Sequence, residues 1–81
     1  MIEAETLEAR IREGVGEVSH IAVRDLTGTK DHWEALIVSN AFTGKSRIEQ
    51  HQMVYGALGE LMAGPIHALA LQTYTPESWS E

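Results

Sequence analysis

Ile2, Leu7 and Ile11 recur near helical spacing among polar neighbours, which predicts a helix over Glu3 to Arg12. Glu3, Glu5 and Glu8 lie early in it and Arg10 and Arg12 late, an order that complements the helix dipole. Gly14 and Gly16 are expected to end it. Val18 to Leu26 then alternates imperfectly, as a strand whose better apolar face carries Ile21 and Val23. The turn segment Thr27-Gly28-Thr29-Lys30-Asp31 is short, so His32 to Ser39 should return as the antiparallel partner of a hairpin. Within it, Ala35-Leu36-Ile37-Val38 is continuously apolar, the pattern of a strand covered on both faces or central in a sheet.

Asn40 to Lys45 reads as a loop, and Ser46-Arg47-Ile48-Glu49 has the spacing of a capping box that starts a helix. Positions 48, 51, 54, 55, 58, 61 and 62 then form a stripe of Ile, His, Val, Tyr, Leu, Leu and Met, long enough to cover one sheet face. Gly56 and Gly59 weaken this helix and mark either close packing or a break. Ala63-Gly64-Pro65 stops it, Ile66 to Thr73 supplies a third strand, and Thr75-Pro76-Glu77 caps a last helical turn. The predicted order is α-β-β-α-β-α, an α/β (α+β) arrangement in one domain over residues 1–81.

Composition narrows what such a domain can do. At 81 residues only about 60% of the unfolded chain's surface can be buried, which supports one modest core. With 43% hydrophobic and 22% charged residues the chain is expected to fold by itself. No apolar run reaches the roughly 20 residues of a membrane span, and Ile2-Glu3-Ala4-Glu5 is acidic where a secretory signal is basic, so a cytosolic protein is expected. Without cysteine there is no disulfide, no thiolate nucleophile and no self-contained cysteine-ligated iron-sulfur site, so any soft metal must be shared. A formal charge of -6 disfavours nucleic acid unless the few cations gather on one face. Glu34 and Glu77 are not spaced as a paired acid and base, and neither Ser39 nor Ser46 sits in a His and Asp arrangement, so no enzyme is predicted.

Five pieces occur in order: His32-Trp33 through Val38-Ser39, Phe42-Thr43-Gly44-Lys45-Ser46, His51 to Tyr55 with Leu58, Ile66-His67-Ala68-Leu69, and Thr75 to Trp79. Together they resemble the BolA family, across nearly fifty residues at the family's separations. The resemblance implies a three-stranded mixed sheet covered by helices, similar to the class II KH fold but without the Gly-x-x-Gly loop by which KH domains clamp nucleic acid. That loop is expected to be absent here as well. The resemblance further implies a monothiol glutaredoxin as partner and a shared two-iron, two-sulfur cluster. The glutaredoxin's cysteine and a glutathione thiolate would ligate it from one side and histidine from the BolA side.

On that resemblance His67 is the expected metal ligand, since a neutral imidazole can ligate iron as in Rieske-type centres; the plain alternative is a hydrogen-bonded strand histidine. His32 is the second metal candidate, because Thr27 to Asp31 offers only hydroxyl, ammonium and carboxylate groups where many relatives carry an additional histidine or cysteine. Parallel second and third strands would bring His32 and His67 to one end of the sheet. His51 lies on the apolar stripe and is expected to pack, and His20 to be structural or exposed. Trp33 and Trp79 have no interleaved basic groups and are expected in packing rather than base stacking. The competing function is a DNA-binding regulator acting through Lys45 and Arg47, where a helix N-terminus beside two cations offers an anion site at most. A third reading is a homodimer whose histidines take up stray zinc or nickel.

Overall fold

The computed structural model describes residues 2–79 other than Pro65 and His67. Helix α1 (Ala4–Val15) leads into strand β1 (Val18–Asp25), which turns back as β2 (His32–Ser39). A 3-10 turn over Asn40–Phe42 precedes helix α2 (Arg47–Leu58), a second 3-10 segment covers Gly59–Ala63, and β3 (Ala68–Tyr74) follows. The sheet order is β1-β2-β3, antiparallel across the hairpin and parallel between β2 and β3. The continuously apolar run is thus the central strand.

Both helices lie on one sheet face. Trp33, Ala35 and Ile37 point from β2 into a core completed by Leu7, Ile11 and Val15 of α1, Val54 and Leu58 of α2, and Phe42 and Ile66 from the connections. Each large aliphatic or aromatic side chain removed from water here contributes about 1.5–3 kcal/mol. Ile21 and Val23 pack on the edge of this core, on the face predicted for β1. Ser39 is fully buried: its hydroxyl donates to the Gly16 carbonyl (2.6 Å) and accepts from the Ala41 amide (3.0 Å), welding the end of β2 to the end of α1.

Several boundaries depart from the pattern. Helix α1 runs past Gly14, which sits against Ala57 of α2, and terminates at Gly16, whose φ of 80° suits glycine. The capping box is present as predicted, with Ser46 Oγ accepting from the Glu49 amide (3.2 Å) and Glu49 Oε1 from the Ser46 amide (2.8 Å). The stripe beyond it is overdrawn. Ile48 is 71% exposed and Tyr55 40%, and only Val54 and Leu58 of α2 are buried. Gly56-Ala57-Leu58-Gly59 does match Gly-x-x-Gly, contrary to expectation, but its first three residues belong to α2 and Leu58 is buried, so it forms a helix end rather than a clamp loop. The last predicted helix is a hydrogen-bonded turn in which Thr75 accepts from the amides of Ser78 and Trp79.

That terminal turn reaches the sheet face opposite the helices. The Trp79 ring stacks on His20 at 5.3 Å between centroids and 22° between planes, and lies 5.4 Å from Tyr74. His20, Val38 and Tyr74 form one row across the sheet, and Val38 is buried although it faces away from the helical layer. No helix among the described residues is long and apolar enough to cross a membrane.

Candidate functional site

The hairpin loop decides where His32 begins its strand. Asp25, the last residue of β1, caps that loop: Oδ1 accepts from the amides of Thr27 (3.3 Å) and Gly28 (3.0 Å), and Oδ2 from Lys30 (3.1 Å). This is the local bonding by which aspartate favours turns. Gly28 and Lys30 take positive φ, 78° and 60°. The Lys30 ammonium contacts both carboxylate oxygens of Glu3 at 2.8 Å, pinning the start of the chain to the loop, and this hydrogen bond raises the lysine above its ordinary pKa.

Asp31 then serves two strands. Its backbone carbonyl accepts from the Ala68 amide (3.1 Å), and its carboxylate lies 2.9 Å from Nδ1 of half-buried His32 and also binds the Thr29 hydroxyl. The parallel register pairs His32 with Ala68 and Trp33 with Leu69. His67 lies outside the described residues; its neighbour Ala68 opens β3 opposite His32, so the two strands start together at one end of the sheet. Among the described residues no group of three or more His, Cys, Asp or Glu side chains could hold a metal ion. With no cysteine in the chain, the donors present suit a share in a metal site rather than a whole one.

A concavity of about 240 Å³ lies between α2 and β3, lined by Arg47, His51, Leu71, Gln72, Thr73 and Tyr74. His51 therefore borders a groove, although its spacing suggested packing alone. Lys45 and Arg47 are both exposed at the start of α2, but the Glu49 carboxylate already occupies the Ser46 amide. The bonds from Ser46 lower the Glu49 pKa. Arg10, Arg24 and Lys30 each pair with a carboxylate, leaving little concentrated positive charge. His20 belongs to the Trp79 stack, far along the sheet from His32. Trp33 is core, with its buried Nε1 unbonded.

Sequence reasoning missed Asp31. Its signal was the adjacency Asp31-His32, which carries meaning only once the rotamers place carboxylate against imidazole.

The family model described as BolA-like protein matches residues 6–78. BolA-like protein 1 of Bos taurus is 44% identical over 54 residues, 67% of this chain and 40% of that protein. The DNA-binding transcriptional regulator BolA of Escherichia coli is 40% identical over 52 residues, 64% of this chain and 50% of that protein. The matches therefore span half or less of these relatives' lengths. Among solved structures, a BolA protein homologue from Coxiella burnetii superposes with a TM-score of 0.81 at 34% identity, covering 95% of both chains. A mixed three-stranded sheet with a helical layer on one face defines an α+β domain. The chain belongs to the BolA family.

Proposed function

We propose that this protein is an adaptor that docks on a monothiol glutaredoxin and contributes histidine to a bridging two-iron, two-sulfur cluster, in cluster trafficking or iron regulation. The observation that carries this reading is the parallel pairing of His32 with Ala68, the residue that follows His67 in the chain. The absence of cysteine supports it, because thiolates must then come from the partner and its glutathione. His67 is the main ligand in this reading and His32 the second. The cluster would be cargo handed between proteins.

Coexpression with a monothiol glutaredoxin and visible absorption of the purified complex test the reading. A coloured complex that His67→Ala bleaches is expected. A colourless complex, or a spectrum indifferent to His67→Ala, would refute the cluster role.

A second reading, DNA binding, is favoured by one observation: Arg47 and His51 line the groove beside β3. The printed name of the Escherichia coli relative points the same way. The charge of -6 ranks it lower. It requires duplex affinity that falls steeply with salt and weakens with Arg47→Glu, and absence of any shift at low ionic strength eliminates it.

A further inference from the structure

We propose that Asp31 is a positioning residue for His32, holding its imidazole in the tautomer that carries the proton on Nδ1 and leaves the lone pair on Nε2, the atom through which the ring would ligate a metal. The ligand role rests on the function proposed above; the tautomer lock does not. A carboxylate has only acceptor atoms, so the 2.9 Å contact between Asp31 Oδ1 and His32 Nδ1 requires the imidazole to donate. The neutral ring then keeps its lone pair on Nε2, the arrangement in which a carboxylate bonded to the remote nitrogen orients a metal-ligating histidine and raises its basicity.

The carboxylate is itself held in place. The Thr29 hydroxyl binds the same oxygen, and Thr29 is bonded in turn to the Thr27 hydroxyl at 2.6 Å. Asp25 clamps the amides of Thr27, Gly28 and Lys30 beneath them. Meanwhile the Asp31 carbonyl holds the Ala68 amide, so one residue aligns the start of β2 through its side chain and the start of β3 through its backbone.

Long-range proton–nitrogen NMR on the isolated protein, well above the ordinary imidazole pKa, tests the lock without partner or cluster. We expect His32 to show a protonated Nδ1 and an unprotonated Nε2, with loss of that preference in Asp31→Ala and its retention in Asp31→Asn, whose amide oxygen still accepts. A wild-type His32 protonated on Nε2, or a tautomer unchanged by Asp31→Ala in a folded protein, would overturn the proposal. In complex with the glutaredoxin, Asp31→Ala should retain the cluster about 10- to 100-fold less well and shift its visible bands, with Asp31→Asn recovering most of the loss. A colourless wild-type complex would overturn the ligand role and the function it rests on, while the nitrogen shifts still decide the lock.

Discussion

Replacing Gly14 with alanine puts helix propensity and packing in direct opposition. Alanine in a helix interior is favoured over glycine by about 1 kcal/mol, and Gly14 lies inside α1, so local reasoning forecasts stabilisation. A Cβ at that position, however, would stand 2.3 Å from Cβ and 2.7 Å from Cα of Ala57. Restoring ordinary contact requires α1 and α2 to part by about 1 Å, a gap that forfeits a quarter to a half of the dispersion attraction across the seam. Overpacking of this kind costs about 1–3 kcal/mol, so Gly14→Ala should lose about 1 kcal/mol net, and up to about 2. In a domain of this size that lowers Tm by about 4–8 °C per kcal/mol, readable by thermal circular dichroism. Combining it with Ala57→Gly should rescue only in part, because the close Cα remains. A single mutant with unchanged or raised Tm would show that the helices do not approach this closely.

Asp25→Ala removes the acceptor for three loop amides and should cost about 1–2 kcal/mol in urea unfolding, with exchange broadening of the His32 resonances as the strand entry loosens. The lowered pKa of Glu49 means that its stabilising contribution is present above the ordinary glutamate value of 4.5 and is lost as pH falls through its folded-state value. The stability gap between wild type and Glu49→Ala should therefore narrow in acid, and a gap that widens there would contradict the capping box. Trp79→Ala should cost about 0.5–1.5 kcal/mol from the lost stack and shift the His20 ring protons in NMR; unmoved His20 signals would deny the contact.

The legible parts of the molecule were those set by near neighbours in the chain. Alternation and a short turn predicted the hairpin, and the limits of β2 came out at His32 and Ser39. Ser46 and Glu49 announced the start of α2 because a capping box is complete within four residues. Five motifs at set separations were enough to place the chain in its family. Periodicity failed where burial depends on what lies opposite: Ile48 and Tyr55 keep the helical spacing but face solvent. Likewise Gly14, which looked like a helix terminator, is the point where α1 lets α2 come close.

By itself, then, the amino-acid order determined most of the elements, the hairpin, the family, and the lack of any thiolate in the chain. Only the folded chain decided that β2 and β3 pair with His32 against Ala68, that Trp79 crosses to His20, and that the Asp31 carboxylate meets the His32 imidazole. Caps and alternation arise from bonds made within a few residues and leave a local trace. The site's geometry arises from contacts between segments distant in sequence, whose register is set by the burial of a shared core, and no short stretch of the chain carries that information.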